Sequence, residues 1–282
     1  MRLIDAHQHF WSLETPGHEW PTDAEARIHR DFGPPDLAAA ATGLPLEATV
    51  LVQSQPTNAD TDWMLTLADR TPLIAAVVGW VDLAAAEAPN RISALAAHPK
   101  LRGLRPMLQS IKETDWLLRP ELAPGLAALC DHGLCLDALV QPRHLPMLDH
   151  FAERWPDLPI VIDHAAKPYA AAGTLDPWRA DIAALAERGL WCKLSGLRTE
   201  QAQGQAAELL QPYVDHLVSC FGERLMWGSD WPVLLLSGDT YPQWVETAVR
   251  LSGLSGAARE RLFAGAAADF YVFDPERKTL CA

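Results

Sequence analysis

The amino-acid sequence predicts an α/β protein, and within that class a closed (β/α)8 TIM barrel. Three observations point there. Eight short runs rich in Val, Ile and Leu recur along the chain, separated by stretches of helical patterning. Their starts fall about every 30 residues, the spacing of a repeated strand–helix unit, and such alternation builds a parallel sheet. The length of 282 residues accommodates eight such units and is close to the ~250 typical of the barrel. An open doubly wound sheet is the runner-up. That fold usually carries a glycine-rich phosphate turn after its first strand, whereas here the first strand runs into histidines.

In chain order, "RLIDAHQ" is the first strand. Residues 11–46 follow, with Pro16, Gly17, Pro21, Gly33, Pro34, Pro35 and Pro45, and read mainly as loop. A loop this long in a compact domain is expected to be an active-site lid. "ATVLVQSQ" is the second strand, and the helix over 60–70 shows, at Leu65, Ala68 and Asp69, the mixed spacing of a surface helix. "LIAAVVGWVDL" precedes a helix over 90–97, "LRGLRPML" one over 121–132, and "LCLDALVQ" one over 145–154. "PIVIDHA" is followed by a helix over 177–188 and "LWCKLSG" by one over 205–220; "RLMWGSDWP" is the eighth strand. Pro and Gly are spread along the chain instead of marking a linker, so residues 1–282 are expected to form one barrel domain.

Composition narrows the function classes. Apolar residues make up 49% and charged residues 21%, which excludes disordered and fibrous chains. The net charge is −13 with no cluster of Lys and Arg, so neither nucleic acid nor an anionic membrane is an expected partner. Five cysteines, odd in number and without a C-x-x-C, read as reduced thiols. Residues 1–10 lack a secretory pattern and no apolar run approaches the ~18 residues of a membrane span. A cytoplasmic location is expected.

Chemistry is predicted at the strand ends. Side chains alternate along a strand, so Asp5, His7 and His9 of "DAHQHFW" are expected on one face, the barrel interior. Their strand ends at the C-terminal mouth, where barrel enzymes place catalysis. Imidazoles there serve as ligands, proton carriers or donors to a substrate oxygen. In the same way Met226, Gly228 and Asp230 share a face, as do Ile160, Ile162 and His164, Gly103 and Arg105, and Trp191, Lys193 and Ser195. A buried Lys193 needs a carboxylate or substrate partner. Asp137 on the fifth strand is either that partner or, like Gln53 at the end of the second, a hydrogen-bonding group for substrate hydroxyls. Of eleven tryptophans, Trp80 and Trp231 follow strand ends and are expected to stack on a sugar face.

Together "DAHQHFW", "LRGLRPMLQ", "DHAAKP", "KLSGL" and "GSDWPV" make the chain resemble the amidohydrolase superfamily, in its branch of sugar-lactone and pyrone-lactone hydrolases. The resemblance runs from Leu3 to the closing helix "LFAGAAADFYVF". It implies an amidohydrolase-like TIM barrel that hydrolyses a small cyclic ester. Many superfamily members hold two metals through a carboxylated lysine on the fourth strand and a histidine on the fifth. This chain has Arg105 in the first place and no histidine in the second, so a second metal is not expected. His7, His9 and Asp230 supply three ligands, the minimum for catalytic zinc. A divalent metal such as zinc is therefore allowed, but no obligatory cofactor is expected.

The expected reaction is hydrolysis of a small sugar lactone, aldono-1,4- or 1,5-, to the free acid. Asp230 is the general base on water, and His7, His9, His164 and Arg105 polarise the carbonyl. Lys193, Gln53, Trp80, Trp231 and Asp137 contact substrate. Few inward cations are available for a pyrone dicarboxylate, which favours a neutral, polyhydroxylated lactone; a homo-oligomer is compatible with the sequence. The alternatives on the same scaffold are a metal-dependent decarboxylase and a lactone isomerase; a non-catalytic binding protein would need no inward Asp230.

Overall fold

Eight strands form one parallel sheet in the order β1 to β8, each paired with its successor in the chain. They are β1 (Leu3–Gln8), β2 (Leu46–Val52), β3 (Ile74–Gly79), β4 (Leu101–Leu104), β5 (Cys135–Ala138), β6 (Ile160–Ile162), β7 (Trp191–Leu194) and β8 (Leu225–Trp227). The computed structural model describes residues 2–271. Met1 and residues 272–282, including Cys281 and the end of "LFAGAAADFYVF", lie outside the described residues.

Helices alternate with the strands. After α1 (Pro34–Ala40), inside the long first loop, come α2 (Asn58–Arg70), α3 (Ala88–Ala96), α4 (Ala123–Asp131), α5 (Leu145–Arg154), α6 (Trp178–Glu187), α7 (Gln211–Phe221) and α8 (Tyr241–Ser252). The short α9 (Gly256–Glu260) and α10 (Ala266–Phe270) flank a π-helical turn at Arg261–Gly265. Local chemistry sets several boundaries. The Thr57 side chain accepts from Asp60 N at the start of α2. Thr240 and Gln243 form a reciprocal capping box for α8, which Gly253 ends in the left-handed conformation.

The strands are apolar on both faces because both are buried. Ile4, Ala6, Val50, Val52, Ala76, Val78, Val161 and Met226 line the interior, plugged by Phe270 and Tyr271 from the end of the described chain. Leu51, Val77, Leu104, Leu136, Ile160, Ile162 and Leu194 pack outward against the helices. The interior is tight: a Cβ at Gly103 would lie 2.5 Å from Cys135 Sγ.

Three elements differ from expectation. The 11–46 segment is more ordered than a loop, with α1 and an antiparallel bridge between Trp11 and Phe32. β2 begins at Leu46, two residues early. Helix α8 was not anticipated, although Tyr241, Trp244, Val245, Ala248 and Leu251, all buried, recur at helical spacing.

The ring closes between β8 and β1 without a full ladder. Asp230 N donates to His7 O (2.7 Å), His9 N donates to Trp231 O (2.8 Å), and Gln8 bridges Trp231.

Candidate active site

The first strand does not keep its alternation. Its register against β2 shifts between Asp5 and Gln8, a bulge-like irregularity that resets which side chains face inward. Ile4 and Ala6 are interior, and so is His7. Asp5 turns away from the histidines, which corrects the expected Asp5–His7–His9 face. Its carboxylate accepts from His7 N (3.1 Å), Ser229 N (2.8 Å), Ser229 Oγ (2.6 Å) and Tyr241 Oη (3.0 Å). Asp5 therefore ties β1 to the turn after β8 and to α8.

His9 lies just past the strand. Its Nδ1 is 2.8 Å from the Val52 carbonyl, which can only accept, so Nδ1 carries a proton. Its Nε2 lies 3.4 Å from Asp230 Oδ1 and 3.2 Å from His7 Nε2. His7 Nε2 and His164 Nε2 are each 3.8 Å from the same oxygen. Three imidazoles thus converge on one carboxylate oxygen.

His164 reaches this point by an unusual backbone. Ile160 and Ile162 face outward and Val161 inward, so the strand phase carries Asp163 inward and would send His164 out. Instead His164, Ala165, Ala166 and Lys167 all have φ between 51° and 60°, one left-handed turn that swings the imidazole back over the mouth. The expectation that Ile160, Ile162 and His164 share a face is corrected on this ground.

Beneath the histidines lies a buried ionic cluster. Lys193 Nζ sits 2.5 Å from Asp137, 2.9 Å from Asp163 and 3.1 Å from His7 Nδ1. Tyr271 Oη donates to Asp137 at 2.7 Å. Arg105 reaches Asp163 (3.3 Å), His7 Nε2 (3.3 Å) and the Gln53 carbonyl (2.5 Å). Burial works against the charge on Lys193, but Asp137 and Asp163 outweigh it and hold the ammonium charged. Burial pushes Asp137 up, while Lys193, His7 and Arg105 overcome burial at Asp163 and hold it well below the carboxylate range.

Burial depresses His7, helped by Lys193, and depresses His164 to about 4 against the pull of Asp230. Both rings are neutral at pH 7. Burial would raise Asp230, but His164, His9 and His7 together keep it well below its ordinary range, so it is ionised. Among the described residues it is the carboxylate of the cluster that no Lys or Arg faces.

The donor set fits a metal. His7, His9 and Asp230 offer atoms within 4.8 Å of one another. Tetrahedral zinc with bonds of about 2.0–2.1 Å spaces its ligands roughly 3.3 Å apart, against 3.2, 3.4 and 3.8 Å here. The Val52 carbonyl on His9 Nδ1 is the outer partner a metal-binding imidazole needs. His7, Asp163 and His164 form a second such group, but Lys193 and Arg105 already stand against His7 and Asp163. Arg105 also competes for the His7 Nε2 lone pair.

The fold brings His7, His9, Arg105, His164, Lys193 and Asp230 together. It redirects others. Lys193 and Asp137 are fully buried partners of each other. The Trp231 ring packs edge-on against Phe10 and Phe32 in the core under the long loop. Trp80 is half-buried, its backbone N–H and C=O both held by Thr61 Oγ1. Gln53 donates to Arg105 O, and among the described residues its buried Oε1 has no hydrogen-bond partner. Sequence reasoning missed Asp163 and Ser195. Asp163 was legible: it stands in phase with Val161. Ser195, whose Oγ lies 2.9 Å from His164 Nδ1, was placed on the Lys193 face without a role.

This geometry has known counterparts. Residues 4–273 match the amidohydrolase family. The chain is 46% identical over 277 residues to an L-fucono-1,5-lactonase of Burkholderia ambifaria, covering 96% of each. It is 36% identical to an L-fucono-1,5-lactonase of Burkholderia multivorans, covering 95% of each. A crystal structure of an amidohydrolase from Burkholderia multivorans with bound zinc superposes with a TM-score of 0.90 at 34% identity, over 96% of this chain and 99% of the other. A barrel whose first-strand histidines meet a last-strand aspartate, matched by family and by relatives along nearly its whole length, places this chain in the amidohydrolase family.

Proposed function

We propose that the chain hydrolyses a small sugar lactone, an aldono-1,4- or 1,5-lactone, to the free sugar acid, with Asp230 as general base. The observation that carries this reading is Asp230 Oδ1 at 3.4–3.8 Å from three imidazole Nε2 atoms, at the strand ends where barrel enzymes work. The curated relatives make L-fucono-1,5-lactone the first substrate to test.

In the reaction Asp230 takes a proton from water as the water oxygen bonds to the lactone carbonyl carbon. The tetrahedral oxyanion is met by N–H donors. Arg105 and His164 are the groups we assign that role; in a dry site one such donor contributes about 3–4 kcal/mol. Collapse breaks the ring C–O bond, and protonated Asp230 returns its proton to the leaving alkoxide. Lys193 does not touch substrate: it pairs with Asp163 (2.9 Å), whose Oδ1 lies 3.3 Å from His7 Nδ1 and accepts that ring's N–H, so the first imidazole is held in place with its Nε2 lone pair free to face the mouth.

When bound at His7, His9 and Asp230, a divalent metal such as zinc supplies Lewis-acid polarisation and a more acidic water. We take the metal as permitted and not required. The decarboxylase and isomerase alternatives have less support, since the curated relatives named are lactonases. No helix among the described residues is long and apolar enough to cross a membrane. The reduced thiols at Cys135, Cys192 and Cys220 support a cytoplasmic location.

The test is a pH-indicator assay of purified protein on a panel of aldonolactones, with and without chelator. Acid release from L-fucono-1,5-lactone, retained after chelation, is expected. Silence across the panel would reject the substrate class, and strict dependence on added metal would reject the optional role of the ion.

A further inference from the structure

Strand β7 and the residue just past its end carry two side chains that each meet a different imidazole. Lys193 Nζ lies 3.1 Å from His7 Nδ1, and Ser195 Oγ lies 2.9 Å from His164 Nδ1. Both rings then direct Nε2 at Asp230 Oδ1 from the same distance, 3.8 Å. The rings also pack on each other, with centroids 4.4 Å apart.

Next to Ser195, Gly196 has φ +64°, and a Cβ there would fall 2.6 Å from His164 Nδ1 and 2.7 Å from Cγ. The ring is seated on the bare backbone of this glycine. From below, the left-handed turn is braced at three points. Lys167 N donates to His164 O (2.8 Å), Trp178 Nε1 donates to Ala165 O (2.7 Å), and Lys167 pairs with Glu200 (3.2 Å).

An extended chain cannot bring neighbours Asp163 and His164 to one side, because strand side chains alternate. The left-handed turn removes that restriction and delivers both to the cluster. It sets where the His164 backbone is, but not how the ring is rotated about its own bonds. The end of β7 supplies that constraint.

We propose that Ser195 and Gly196 are positioning residues for the hydrolysis: they fix the rotation of the His164 imidazole so that its Nε2 faces Asp230 and the reacting carbonyl. The inference rests on the role given to His164 above. Misplacing a reacting group by about an ångström can lower turnover on the order of 100-fold, which sets the scale of the effect.

The experiment compares full-length wild type with Ser195→Ala, Ser195→Cys, Gly196→Ala and His164→Ala on L-fucono-1,5-lactone. It reads kcat and KM separately, with circular dichroism to confirm folding and nitrogen NMR of the imidazoles. Ser195→Ala is expected to lower kcat about 10- to 100-fold with KM little changed, and to broaden the His164 ring signal. Ser195→Cys, which keeps a weaker hydrogen-bonding group in place, is expected to fall between wild type and Ser195→Ala. Gly196→Ala is expected to lower kcat as Ser195→Ala does; should it fail to fold, the serine variants decide alone. Wild-type kcat and an unchanged ring signal in Ser195→Ala, with activity lost in His164→Ala, would overturn the proposal. Full activity in His164→Ala would instead remove His164 from the mechanism. If wild type does not turn over this lactone, the NMR arm still decides whether Ser195 holds the ring.

Discussion

Asp230 sits at φ +56°, a left-handed conformation that Asp and Asn tolerate better than most side chains. Asp230→Asn is therefore expected to keep the backbone while removing the base. Its kcat should fall about 1000-fold, with an unchanged circular dichroism spectrum. Near-normal turnover would take Asp230 out of the mechanism. Asp5 makes a separate prediction. Burial raises its carboxyl from 3.8 to about 6, with the Ser229, His7 and Tyr241 bonds pulling the other way. A folded-state value above the unfolded one means that the folded chain binds the extra proton. Its favourable contribution is complete below about pH 4 and is lost as pH rises through about 6, a span worth roughly 3 kcal/mol. Asp5→Asn keeps an acceptor for the two backbone N–H groups and offers an amide to Ser229 and Tyr241, whose hydroxyls can accept. It should fold, and its stability relative to wild type, from urea titrations, should rise between pH 4 and pH 7. A pH-independent difference would show that Asp5 is not the group titrating there.

At the scale of elements, the left-handed turn after β6 is the strained piece. Each of its four non-glycine residues costs about 1–2 kcal/mol in that conformation, so the turn persists only because its surroundings hold it. Ala165 and Ala166 are fully buried, and helix α6 contributes the Trp178 indole N–H to the Ala165 carbonyl. Trp178→Phe keeps an aromatic ring in the core and deletes that donor. Leaving a buried carbonyl unsatisfied should cost about 1–3 kcal/mol in chemical denaturation. A variant as stable as wild type would mean that the turn is held from elsewhere. The turn also explains why the strand pattern was readable and its end was not. Val161 and Asp163 follow simple alternation, whereas nothing in "DHAAKP" signals four left-handed residues without a glycine, since propensity rules reserve that conformation for Gly, Asn and Asp. The β1 irregularity hid Asp5 for the same reason: a single register slip reverses every inference drawn from a period of two. Helix α8 failed differently. Its buried Tyr241, Trp244, Val245, Ala248 and Leu251 recur at plain helical spacing, so this helix was legible in the sequence.

For the whole molecule, closing the barrel and assembling the site are one event. The β8–β1 seam consists of the Asp230–His7 and His9–Trp231 backbone bonds together with the Asp5 carboxylate on Ser229. A metal on His7, His9 and Asp230 would thus tie the first strand to the last. Zinc at 100 times its dissociation constant should stabilise the fold by about 2.7 kcal/mol, seen as a rise in Tm. The rise should vanish in Asp230→Asn; its persistence there would place the ion elsewhere. The sequence by itself determined the barrel and the strand ends that bear His7, His9, Arg105, His164, Lys193 and Asp230, because hydrophobic periodicity and strand length are local properties. Only the tertiary structure decided that Lys193 is locked under His7 by Asp137 and Asp163, that Trp231 belongs to the core, and that Asp163 and His164 point the same way. Each of those depends on a contact between distant strands or on a backbone turn that packing imposes against local preference.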